Sequence, residues 1–135
     1  MAVQSMAYDH PAYLVRETTT SFNAAGASAV HGRFAAFTNM LAKSLTVYTV
    51  TAGTGTGNGT VSLCRIATGG TAITTLGTIV MGTSSLGFGT NVAIAAASQT
   101  ITKLDQVYIQ NGADATGVWA VTVELVLTPG ADITT

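Results

Sequence analysis

From Trp119 onward the chain alternates without a break: Trp119, Val121, Val123, Leu125 and Leu127 fall on one parity, and Ala120, Thr122, Glu124, Val126 and Thr128 on the other. A helix cannot sort these two sets onto two faces, but a strand does, because successive side chains point to opposite sides. The stretch is therefore a strand with one buried face. Upstream, Val107 and Ile109 alternate with Tyr108 and Gln110, and 111–117 (NGADATG) is turn chemistry. Read locally, 101–128 is an antiparallel hairpin.

The same reading places further strands at 29–38, where Val30, Phe34 and Ala36 share a parity, and at 45–52, where Leu45 and Val47 alternate with Tyr48 and Val50. Others follow at 60–67, 71–81 and 91–97, separated by the glycine-rich runs 53–59 and 84–90 and by Gly69-Gly70, placed for a tight turn. No amphipathic helix and no repeat at fixed period interrupts them. The fold class expected is all-β, a jelly-roll-like antiparallel sandwich. The 135 residues suit one core. Residues 1–21 have aromatic and aliphatic residues without periodicity, Pro11 among them, and are read as an extended N-terminal arm, with 22–135 as the sandwich domain. The alternative for the arm is a strand folded back on its own sheet.

Charge is the second constraint. Only 8% of residues are charged, against about 25% in ordinary soluble domains, and between Arg65 and Lys103 there is no Asp, Glu, Lys or Arg. A surface so poor in charge has little protection against association, so it is expected to be covered by neighbours. A net charge of −1 with five scattered basic residues supplies no stripe for a row of phosphates, so no nucleic-acid partner is expected. The N-terminus has neither the basic start nor the apolar core of a targeting segment, and 79–97 is too interrupted by Gly, Ser, Thr and Asn to span a bilayer, so no membrane is expected. Cys64 is the single cysteine; it cannot form an internal disulfide and suits a protein made and assembled in a reducing cytosol.

Catalytic constellations are not legible, and the chain is read as a non-enzyme. The glycines at 53, 55, 57 and 59 precede a strand, not the helix that a phosphate loop needs, and no Lys or Arg is near. Asp9, His10 and His31 have no compact ligand spacing, so no metal or other cofactor is expected. Cys64 sits mid-strand as a buried structural thiol, and His31 is expected on the face opposite Val30. Asp105, Asp114, Glu124 and their few companions, with Asp114 and Glu124 in solvated positions, form no acid–base pair by spacing. Exposed aromatics such as Tyr8, Tyr13, Phe22 and Phe88 are read as packing anchors at subunit contacts, with a sugar-binding tip at Leu86 and Phe88 as the alternative.

Two stretches carry a resemblance: Met6-Ala7-Tyr8-Asp9-His10-Pro11 followed by a polar extended segment, and 101–128, where a turn with an acidic residue leads into a strand, a Gly/Asn/Ala/Thr loop and a last strand reading VTVELVL. Together, over about a third of the chain, they resemble the small capsid decoration (cement) or head-fibre proteins of tailed bacteriophages. Where members usually have Gly before the acidic residue, this chain has Leu104-Asp105. The resemblance implies a structural virion protein on the capsid exterior, a homotrimer partnered with the major capsid protein, with no catalytic residues. The arm residues Tyr8, Pro11, Tyr13 and Leu14 are then the expected capsid or subunit contacts, and a receptor- or glycan-binding tip of a tail or head fibre is the alternative role.

Overall fold

The computed structural model describes residues 14–23, 29–51, 59–80, 89–112 and 118–127, the first stretch as backbone. Nine strands run in chain order: β1 Leu14–Asn23, β2 Val30–Ala35, β3 Met40–Thr51, β4 Thr60–Ile66, β5 Ile73–Val80, β6 Gly89–Ala93, the two-residue β7 Thr100–Ile101, β8 Gln106–Asn111 and β9 Val118–Leu127. A single 3₁₀ turn, Ala96–Ser98, precedes β7. One sheet has the order β1-β9-β3-β6 with β7 paired to β3, and the other β2-β8-β4-β5. Every pairing is antiparallel. First pairs with last, second with second-last, and so inward to the β4–β5 hairpin, which is the winding of a jelly roll.

The core is what the alternation demanded. Trp119, Val121, Val123 and Leu125 of β9 are buried, facing Val61 and Leu63 of β4, Val107 and Ile109 of β8, and Leu76 and Ile79 of β5 in one apolar cluster. On β3 the buried set is Met40 and Ala42, then Leu45, Val47 and Thr49. The change of parity coincides with a register shift between Ala42 and Ser44. A bulge of this kind inserts one residue and turns the following side chains over. It hid the true start of β3 from an alternation argument that began at Leu45.

Two expectations are corrected here. β8 and β9 do not form a hairpin: β8 pairs with β2 and β4, while β9 pairs with β1 and β3 in the other sheet. Each strand is satisfied along both edges by sequence-distant partners. The arm expected over 1–21 is sheet from residue 14 onward, with Arg16 opposite Glu124 and Thr18 opposite Thr122. Over 14–23 the chain thus follows the alternative of a strand laid on its own sheet, and 1–13 lie outside the described residues.

Gly69, at φ 76°, makes the β4–β5 turn in a backbone region that suits glycine. Gly70 N–H donates to Ala67 O at 2.9 Å to close it. Gly32, at φ 57°, lies in the register shift between His31 and Phe34 on β2. That bulge reverses the expected faces. Val30 is exposed, and His31 is the half-buried residue, its Nε2 2.8 Å from the amide oxygen of buried Asn111.

Candidate assembly surface

Three turns meet at one end of the sandwich: 36–39 between β2 and β3, 67–72 between β4 and β5, and 102–105 between β7 and β8. Asp105 knits them together. Its side chain is 2% exposed. One carboxylate oxygen accepts from Thr68 N–H at 2.9 Å and from Thr68 Oγ1 at 3.3 Å, and the other from Thr102 N–H at 2.8 Å, with Arg65 Nε at 3.6 Å. Charge-assisted bonds to backbone N–H groups are the strong class, and here they satisfy donors that the turns would otherwise bury unpaired. The backbone completes the clamp: Ala36 N–H donates to Asp105 O at 2.9 Å, Leu104 N–H to Ala36 O at 2.7 Å, and Lys103 N–H to Asn39 Oδ1 at 2.9 Å. By sequence, Asp105 stands out as a possible member of a carboxylate pair and as the acidic residue of the turn that carries the resemblance. It is instead a structural staple, signalled by a threonine three residues before it.

On this clamp stand two apolar side chains, Phe37 at 55% and Leu104 at 56% exposure. Leu104 adopts φ 71°, the only positive φ outside glycine among the described residues. The left-handed region costs an L-residue with a Cβ about 1–2 kcal/mol. A leucine is therefore held in strain at the tip of a rigid turn with its side chain largely in solvent.

The charge-free run between Arg65 and Lys103 also has a definite place. It supplies β5, β6 and β7. β5 and β6 are the outer strands of their respective sheets and pack against each other across the layers, so that a Cβ on Gly77 would meet Ile94 Cγ1 at 3.2 Å. One flank of the sandwich thus has no charged residue in its edge strands, and β5 exposes Ile73 and Val80 there. The opposite edge strands, β1 and β2, contain Arg16, Glu17 and Arg33. Edge strands present unpaired backbone groups, and lysines or prolines normally guard them. β5 has neither.

The remaining candidates have structural work. Cys64 is a free, fully buried thiol on the face of β4 away from the core, with Gln110 Oε1 at 3.8 Å. Burial raises its pKa, with a hydrogen bond to Thr75 opposing the shift. Tyr108, paired to it on β8, is 1% exposed beneath Arg33, whose guanidinium carbon is 4.9 Å from the ring centroid. Burial raises the Tyr108 pKa, the Cys64 charge adds to this, and Arg33 opposes it. Glu124 is half-buried and accepts from Ser44 Oγ at 3.4 Å. Among the described residues no cluster of His, Cys, Asp or Glu could hold a metal ion, and no helix is long and apolar enough to cross a membrane. Tyr8, Pro11 and Tyr13 lie outside the described residues, as do Asp9, His10, Leu86, Phe88 and Asp114. Leu14 opens β1, its backbone opposite Val126.

No family model matches the chain, and no curated protein does. Among solved structures it is similar to a protein of Bacillus endospore appendages, described as disulfide-linked pili, at 24% identity over 85% of this chain and 89% of that one, TM-score 0.47. It is similar to PirA at 11% identity over 83% of this chain and 93% of that one, TM-score 0.41. A third likeness is to VP2 of the infectious bursal disease virus subviral particle, at 15% identity over 87% of this chain and 33% of that one, TM-score 0.43.

Proposed function

We propose that this chain is a structural virion protein, a decoration or cement protein that binds the outer surface of a tailed-phage head and ties neighbouring capsomers together. The observation that carries the reading is the charge-free flank. An uninterrupted stretch without ionisable side chains, which in the sequence could have been scattered, is gathered by the fold onto the two edge strands of one side. Protein can cover such a flank without desolvating a charge, and apolar area removed from water there contributes about 25 cal/mol per Å² before ordering costs. The partner in this reading is the major capsid protein, the assembly a homotrimer, and the place of action the capsid exterior after synthesis in the host cytoplasm. Tyr8, Pro11 and Tyr13 act as contact residues of the segment leaving the sheet at Leu14. The segment gives each copy a second point of attachment, which turns weak docking into a multivalent hold.

The test is sedimentation of the full-length protein with undecorated heads. Co-migration that saturates at a fixed number of copies per shell is expected, together with greater resistance of the shells to heating. Protein that stays at the top of the gradient at every ratio refutes the reading.

A further inference from the structure

The clamped turns at the end of the sandwich carry an unassigned contact surface. We infer that Phe37 and Leu104 form the docking platform for the N-terminal segment, residues 1–13, of a second copy of this chain. The inference deepens the reading of 1–13 as a contact segment and depends on that reading, but not on the capsid.

Three observations lead to it. First, a strained leucine is held where its strain serves no packing purpose. Glycine would occupy the left-handed backbone of residue 104 without a clash, whereas leucine there exposes more than half of its side chain. Strain retained by an over-determined surrounding points to function, and the Asp105 network supplies that surrounding at 2.8 and 2.9 Å. Second, Phe37 and Leu104 are joined through one residue, because Leu104 N–H donates to the carbonyl of Ala36, the neighbour of Phe37. They form one preorganised patch instead of two stray apolar residues.

Third, the topology indicates what covers the patch. Leu14 pairs with Val126, Val126 with Leu41, and Leu41 with Thr100, so β1 begins at the platform's own end of the sheet. Three strand spacings put Leu14 roughly 14 Å from Thr100, whereas thirteen extended residues reach about 43 Å, long enough to leave their own body. In a single chain both platform side chains stay more than half exposed. The segment offers Met6, Tyr8, Pro11 and Tyr13 to apolar partners, and its one charged side chain, Asp9, is complementary to Lys103 beside Leu104. An exchange of segments between copies links neighbours around a ring or across a lattice.

The test places a photo-crosslinking phenylalanine analogue at position 37 of the full-length protein, in an equal mixture of isotopically heavy and light chains. Crosslinks from position 37 to residues 1–13, in heavy–light pairs, are expected. In parallel, Leu104→Gly and Tyr8→Ala should each weaken self-association at least tenfold by sedimentation equilibrium. Their combination should weaken it no further, and the unfolding midpoint of Leu104→Gly should not fall. Crosslinks confined to one chain or to any other segment, absence of crosslinks, or undiminished association of Leu104→Gly would each overturn the inference. A protein that crosslinks as expected yet ignores shells would sink the decoration reading and leave this one standing.

Discussion

Replacing Asp105 with alanine should cost more stability than any other single change at the turn end of the sandwich. The substitution removes the acceptor for two backbone donors, Thr68 N–H at 2.9 Å and Thr102 N–H at 2.8 Å, in a site 2% exposed to solvent. Leaving a buried donor unsatisfied costs about 1–3 kcal/mol. The Arg65 contact adds less: at 3.6 Å it is loose, and the Arg65 side chain, 23% exposed, can turn toward water and already donates to Thr100 O. The sum is about 3–5 kcal/mol, in line with removal of one partner from a buried charged cluster, and a large share of the roughly 5–15 kcal/mol that holds a domain. For a chain of this length it should lower the melting temperature by about 10–20 °C. Trp119, the single tryptophan and 1% exposed, reports unfolding by fluorescence in urea or on heating. Asp105→Asn keeps one acceptor oxygen and should lose about half as much. Arg65→Met should lose about 1 kcal/mol or less if the backbone donors carry the effect. A loss below about 1 kcal/mol in Asp105→Ala, or an equal loss in Arg65→Met, would refute the staple.

Cys64 and Tyr108 both hold their protons more tightly folded than unfolded. Their contribution is therefore complete below the ordinary thiol value of about 8.5 and is lost as pH rises toward their raised folded values; Cys64→Ala should flatten the alkaline arm of a stability–pH curve, and an unchanged arm would contradict this. Native protein should react with a thiol reagent only as fast as it opens, so labelling should accelerate with urea in step with unfolding. Gly112→Ala drives a Cβ into the Thr60 hydroxyl. It should cost about 1–3 kcal/mol, with Thr60→Ser, which keeps that hydroxyl, giving no relief. Ile73→Lys with Val80→Lys places charge on the bare edge of β5 and should raise the concentration at which the protein self-associates or precipitates without lowering its melting temperature by more than a few degrees; unchanged solubility would indicate that this flank meets nothing.

Much of the fold was legible because burial writes itself into parity. β9 could be read residue by residue, since its partners impose a simple in–out alternation, and the Gly69-Gly70 pair marked the β4–β5 turn. Legibility failed wherever the backbone gained a residue or the chain changed layer. The bulges at 42–44 and 31–34 reverse parity without altering composition, hiding the start of β3 and the half-buried setting of His31. The pairing of β8 with β2 and β4 depends on segments forty or more residues away, which no local pattern encodes. The candidate surface was legible as a charge-free stretch, but not as a flank, because only strand order assembles β5 and β6 side by side. Phe37 falls inside the strand expected at 29–38, and Leu104 stands out only as the residue before Asp105, because a positive φ leaves no mark on the residue that adopts it.

The most direct test of the decoration account is a cryo-EM difference map between heads incubated with the full-length protein and the same heads without it. Decoration requires extra density of jelly-roll size at symmetric positions on the outer surface, with the edge strands β5 and β6 turned toward protein. Maps that superimpose without added density, or density found only on the tail, would contradict it.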